Sequence, residues 1–332
     1  MADTSDWAEL WAIGDLTTPM AVRVAATLGI ADSVTQGVST MSQLAEASGT
    51  DPKTLERVLR HLVSAGILDR DSSGAYTLTA LGNLLRDDHP AGMRRRLDIE
   101  GPIGRADLSF FQLLHSVRTG EAAFPVQFGR SFWDDLAQDA ERSTAFDRLM
   151  GSDVTAEAPA IVAAYDWGSL QHVVDVGGGN GSLLIALLTA FPALRGTVVD
   201  LPGACEAARL KFAASGLTGR ADAVAGSFFD PLPPGAGGYI LSAIVHNWGD
   251  DAVGRILRRC AQAADGTGTV FVIERMADDT SVSTARDLRM LAYFGGRERN
   301  LGEITALAQK SGLDPVAVHP APPNAIVELT PP

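Results

Sequence analysis

Cysteine is almost missing from this chain: Cys205 and Cys260 are the two in 332 residues. Neither has a second Cys or a His at metal-ligand spacing, so neither a disulfide framework nor a cysteine metal site is expected. Both thiols read as small hydrophobes buried on helices. Basic residues are also scarce, 27 Lys and Arg against 40 Asp and Glu, for a formal charge of −13. Such a surface repels a polyanion like DNA unless a local basic patch outweighs it. The one dense basic run is Arg94-Arg95-Arg96, which reads as a solvated helix face. No uninterrupted apolar run reaches the roughly 20 residues that a bilayer-spanning helix needs. The start, MADTSDWAEL, is acidic with no apolar core behind it, so no signal peptide is expected, and a reducing cytoplasm fits.

What is present divides into three stretches. Residues 1–100 read as a small helical module. A helical stripe from Ala21 to Ile30 stops at Gly29, and a short helix covers Ser42 to Ala47. Asp51 is placed as an N-cap with Pro52 at the first helical position, and Leu55, Val58, Leu59 and Leu62 stripe the helix that follows. Ile67 to Asp69 and Tyr76 to Leu78 then form a two-stranded wing around Ser72-Ser73-Gly74. This winged helix-turn-helix either binds DNA or serves as a scaffold against a second subunit. The acidic surroundings of Lys53, Arg57, Arg60 and His61 favour the dimer scaffold.

Residues 101–165 read as helical, with breaks at Gly101-Pro102 and Gly120 to Pro125. Aromatic residues are only 6% of the chain, yet Phe110, Phe111, Phe124, Phe128, Phe132, Trp133 and Phe146 gather here with Met150. Some are core and some line an aromatic ligand pocket; spacing does not divide them. From residue 166 strands alternate with helices: His172–Val176, Thr197–Leu201, Ala221–Ala225, Gly238–Ala243 and Thr269–Glu274, with helices from about Ala204 and over Asp250–Ala264 and Asn300–Ser311. Repeated β-α units imply a doubly wound parallel sheet. Pro315–His319 and Ala325–Leu329 read as an antiparallel pair at its end.

The strongest chemical signal is Val173-Val174-Asp175-Val176-Gly177-Gly178-Gly179-Asn180-Gly181. A strand ends near an acid and runs into glycines that open a helix, which lets backbone approach a ligand where a Cβ would clash. A dinucleotide fingerprint needs a third small residue where Ser182 stands. The spacing here suits a ligand without a pyrophosphate, such as S-adenosylmethionine. Asp200, ending the next strand, suits the two ribose hydroxyls of any adenosine ligand.

With these motifs in order, HVVDVGGGNG, VVDLPG, AGSFFDPLP, SAIVHNWGDD, VIERM and FGGRERN, the chain resembles the S-adenosylmethionine-dependent small-molecule O-methyltransferases. These are the plant phenolic enzymes and the bacterial enzymes of aromatic polyketide antibiotics, among them naphthoic-acid O-methyltransferases. The resemblance implies a Rossmann-like class I methyltransferase domain behind a winged-helix dimerisation domain. It implies that Asp175, Gly177 and Gly179 hold the donor's methionine part and that Asp200, with Leu201, takes the ribose. Ser227-Phe228 match the adenine pair, with Ser in place of the usual Asp, and Ser242 stands where plant enzymes often carry Lys. His246 matches the catalytic base, with Asn247 where the plant pattern has Asp, and Glu274 and Glu298 match the acids that orient it. Phe146, Met150, Met290 and Phe294 are the expected substrate wall.

The implied chemistry is self-consistent. A sulfonium is an activated methyl donor, so the protein must align it and accept a proton. A phenol with a pKa near 10 needs a base, and an imidazole near 6.5 can act as one. No metal is expected; Asp250-Asp251 read as a helix start. The expected partners are an aromatic substrate and a second copy of the chain, with no nucleic acid or membrane. Two rival classes are weighed, a nicotinamide-dependent oxidoreductase and a DNA-binding regulator.

Overall fold

The computed structural model describes residues 4–278 and 280–332. The chain divides into two compact units, one ending at Leu108 and one running from Ser109 to Pro332.

In the first unit the helices Thr17–Thr27, Ile30–Thr35, Met41–Ser48 and Pro52–Ser64 lead into the antiparallel strands β1 (Leu68–Arg70) and β2 (Tyr76–Leu78). Asp51 caps as its sequence implies, accepting the Thr54 N–H at 2.8 Å with Pro52 behind it. Leu44, Leu55, Leu59, Leu62, Leu68 and Tyr76 close the core. The stripe from Ala21 to Ile30 is not one helix. Gly29 takes a left-handed φ of 62°, and Ile30 starts the next helix. Arg94 and Arg95, on the helix Met93–Leu97, are spent on Asp32 and Asp87 within the unit. The helix Thr4–Gly14 exposes Trp7, Leu10, Trp11 and Ile13.

The second unit is built on a seven-stranded sheet of β3 (His172–Val176), β4 (Arg195–Asp200), β5 (Ala221–Ala225), β6 (Gly238–Ser242), β7 (Thr269–Glu274), β8 (Asp314–Ala321) and β9 (Asn324–Thr330). Its order is β5-β4-β3-β6-β7-β9-β8, parallel as far as β7 and antiparallel for the last two pairings. The two faces are nearly all apolar. Val174, Leu241, Val272 and Val327 sit in one core, and Val173, Val198, Ile240 and Phe271 in the other. Burial on both faces is what a parallel sheet demands. Cys205 and Cys260 lie in these two cores, on Pro202–Ala214 and Asp250–Ala264. The chain leaves β3 toward β4 and returns to β6 on its other side, so the crevice where strand order reverses lies beyond the ends of β3 and β6. The sequence reading draws no helix between Glu274 and Asn300. The helix Ser281–Phe294 is there, capped by Thr280.

Candidate active site

The C-terminal ends of five parallel strands carry the site. After β3, the glycine loop turns with φ of 76° at Gly177, 56° at Gly179 and 75° at Gly181. A Cβ on Gly177 would lie 2.5 Å from Ile244, and one on Gly178 would lie 2.5 Å from Asp175 Oδ2. A Cβ on Gly181 would lie 2.5 Å from Phe212, whereas none would meet anything within 4 Å at Gly179. The loop is therefore pressed against protein on its inner side and open at Gly179. The helix Ser182–Ala190 starts directly after it.

Carboxylates ring this loop. Asp175 is 1% exposed, and its Oδ2 has no hydrogen-bond partner among the described residues. Burial, then repulsion from Asp200, pushes its pKa to about 7. Asp200 accepts the Gly179 N–H at 2.8 Å and the Leu201 N–H at 2.6 Å. Burial raises its pKa, and those two amides offset part of the rise. Leu201, not Asp200, is the N-cap residue of Pro202–Ala214, and its side chain is exposed. Asp147 went unnoticed in the sequence because nothing marks one Asp in FDRLM. Its backbone carbonyl accepts the Asn180 side chain at 2.7 Å. Burial, then the Asp200 charge, lifts its pKa to about 6 against the pull of Lys211. A cation entering here would restore these acids to their charged form.

Beyond β5, Ser227 makes a local turn, its Oγ accepting the Phe229 N–H at 3.2 Å. The ring edge of Phe228 stands within 3.4 Å of where a Gly177 Cβ would be and packs on Trp248. Ser242, half-buried, is the last residue of β6.

After β6 the chain passes through Ala243, whose φ of 56° is left-handed for a residue with a Cβ, into the 3-10 turn Val245–Asn247. Strain of this kind persists only where surrounding contacts hold it. Glu274, ending β7 and 4% exposed, supplies several. Its Oε1 accepts the Val245 and His246 N–H groups at 3.0 and 3.4 Å, and its Oε2 meets His246 Nδ1 at 2.7 Å. Burial disfavours the charged imidazolium, but the Glu274 charge and hydrogen bond, with Glu298 behind them, outweigh it and raise the His246 pKa above the ordinary histidine value. With Nδ1 taken by Glu274, the side chain remains 20% exposed. Glu298 lines the same small void as His246 and Glu274. Its two oxygens go to the Arg286 guanidinium at 2.6 and 3.3 Å rather than to the imidazole, so it reaches His246 through its charge alone. Arg286 carries no sequence signal, because its helix was not foreseen.

The aromatic residues assemble around Trp133. Phe294 stacks on it at 5.3 Å and Trp248 at 6.5 Å, while Phe146 meets it edge-on at 5.9 Å. Phe146 and Phe294 are thus brought together. Met150 and Met290 each lie four residues from one of them on the same helix, hence on the same face. Trp133, Trp248 and Phe132, which meets both Trp133 and Phe294 edge-on, join this cluster without having been expected in the wall.

Among the described residues no group of three or more His, Cys, Asp or Glu gathers as a metal ligand set, and no helix is long and apolar enough to cross a membrane. An O-methyltransferase domain model matches residues 110–314, and an O-methyltransferase dimerisation domain model matches residues 12–88. The 2,7-dihydroxy-5-methyl-1-naphthoate 7-O-methyltransferase of Streptomyces carzinostaticus is 53% identical over 321 residues, 97% of each chain. The aclacinomycin 10-hydroxylase RdmB of Streptomyces purpurascens is 44% identical over 91% of this chain and 82% of its own. The crystal structure of the O-methyltransferase NcsB1 from neocarzinostatin biosynthesis, with S-adenosylmethionine and 2-hydroxy-5-methyl naphthoic acid, superposes with a TM-score of 0.94 at 52% identity, covering 97% of this chain and 98% of that one. These likenesses support neither of the two rival classes: the chain belongs to the family of S-adenosylmethionine-dependent O-methyltransferases.

Proposed function

We propose that the enzyme methylates a phenolic hydroxyl of a hydroxylated naphthoic acid, with His246 as general base. The observation that carries this reading is the 2.7 Å His246–Glu274 pair, placed one strand across from the glycine loop at the crevice of the sheet. Glu274 accepts Nδ1–H, which leaves Nε2 as the proton acceptor and stabilises the imidazolium that forms. Glu298 adds a second negative charge behind it.

The residues around the glycine loop fit the methyl donor. An orphaned buried carboxylate oxygen on Asp175, the open backbone at Gly179 and the Asp200 carboxylate suit an ammonium, a carboxylate and a ribose in turn. Leu201, Ser227, Phe228 and Ser242 complete that edge. The bound donor supplies a methyl group already activated on sulfur. Phe146, Met150, Met290 and Phe294, with Trp133 and Trp248, hold a flat aromatic acceptor, for which stacked and edge-on rings are well suited.

We further place the enzyme in the cytoplasm, as a homodimer, in antibiotic biosynthesis. The bare apolar face of Thr4–Gly14 supports a partner subunit, since large exposed apolar patches mark interfaces. Incubation with 1,4-dihydroxy-2-naphthoic acid and S-adenosylmethionine tests the reaction by mass spectrometry. A product heavier by one methylene supports it. A product heavier by one oxygen, the hydroxylation its 44% identical relative is named for, would overturn it. A monomer by light scattering at micromolar concentration overturns the dimer.

A further inference from the structure

A 3-10 turn of three residues, Val245–Asn247, satisfies few of its own backbone groups, so the groups at its ends must find partners elsewhere. The Val245 and His246 amides go to Glu274, and the Asn247 amide goes to the Ile244 carbonyl. The Val245 carbonyl, and that of Trp248 just past the turn, go to Arg299, which is 3% exposed. Arg299 Nη1 donates to the Val245 carbonyl at 2.8 Å, and Nη2 donates to the Trp248 carbonyl at 2.8 Å. These two carbonyls bracket His246 in the chain. The guanidinium is itself pinned by Asp250, with Nη2 and Nε at 2.7 and 3.1 Å from Oδ1. One carboxylate thus holds the first two amides of the turn and one guanidinium the carbonyls on either side of His246, while the left-handed Ala243 at the entrance keeps the segment under strain.

We propose that Arg299 is a positioning residue for the base: it fixes the direction of His246 Nε2 by clamping the carbonyls on either side. The proposal rests on His246 being the base. Arg299 touches neither the imidazole nor any reacting atom. Its fork spans three carbonyls, those of Val245, Trp248 and Arg297, and a carboxylate at once, which the compact ammonium of a lysine does not do. A displacement of about 1 Å at a reacting group costs on the order of 10²-fold in rate, and that is the loss expected when the clamp is released.

The test is a double-variant cycle on the full-length enzyme, reading kcat, the KM of the naphthoic acid, and S-adenosylhomocysteine affinity. Arg299→Met should lower kcat by about 10²-fold with both affinities little changed, and Arg299→Lys should lose less. Because the residue acts through His246, Arg299→Met placed on His246→Ala should cost almost nothing more. If the two losses multiply, or if both Arg299 variants keep normal kcat, the proposal is wrong. If His246→Ala itself keeps normal turnover, the base reading fails first, and the two failures are told apart. Should Arg299→Met lose S-adenosylhomocysteine binding through misfolding, Arg299→Lys and the half-exposed Asp250→Asn decide. A several-fold fall in kcat that vanishes on the His246→Ala background supports the clamp, and unchanged kcat overturns it.

Discussion

Asp175→Asn should make the free enzyme more stable and a poorer binder of the donor, with a pH dependence that identifies the cause. The carboxyl of Asp175 is sealed beneath the glycine loop with an orphaned oxygen, and its pKa stands at about 7 against 3.8 in the unfolded chain. A raised acid pKa means that the folded state holds the proton while the unfolded state releases it, so stability falls as pH rises between the two values. Each pH unit in that window removes about 1.4 kcal/mol, and the roughly three units amount to about 4 kcal/mol, complete above pH 7. Asparagine keeps the shape and cannot ionise. The cost is only partly developed at pH 5 and full at pH 8. The variant's gain in urea unfolding should therefore be larger at pH 8 by roughly 2–3 kcal/mol, with an unchanged m value. Calorimetry with S-adenosylmethionine should show binding weakened by about 10- to 100-fold, the worth of a hydrogen bond to a charged group. A stability difference independent of pH, or no gain at pH 8, would refute a buried ionisable acid held ready for a cationic ligand.

His246→Gln should lower kcat by about 10²–10⁴-fold, the usual worth of a general base, with S-adenosylhomocysteine affinity preserved; near-normal turnover at neutral pH would remove His246 from the reaction. In the parent enzyme only neutral imidazole accepts the proton, so kcat should climb with pH through a value above 6.5. Glu274→Gln removes the charge that raises this pKa and should move the limb to lower pH. It should also depress kcat by on the order of 10²-fold or more, because an amide N–H against Nδ1 selects the tautomer with its hydrogen on Nε2; a limb that stays in place would count against the pair. Asp200→Ala should weaken donor binding by about 1–3 kcal/mol in a titration, and intact affinity would deny it the ribose.

Much of this protein is written in local sequence. Strands buried on both faces read as apolar runs, so β3 and β7 fall where their residues place them. Asp51-Pro52 announces its helix by capping chemistry that acts over three residues. The glycine loop is legible because left-handed backbone and close approach demand glycine at particular positions. Other features depended on residues far apart in the chain. The helix Ser281–Phe294 went unread because its face is completed by Phe132 and Trp133, well over a hundred residues earlier. Glu298 is recognisable as an acid in GGRERN, but that its oxygens go to Arg286 was decided by the helix it folds against. The raised pKa values of Asp147 and Asp175 belong to no motif. They exist only because folding removes water from three carboxylates, at positions 147, 175 and 200, that a helix and two strands bring around one loop. Local propensity acts within a few residues, whereas desolvation and charge act through space.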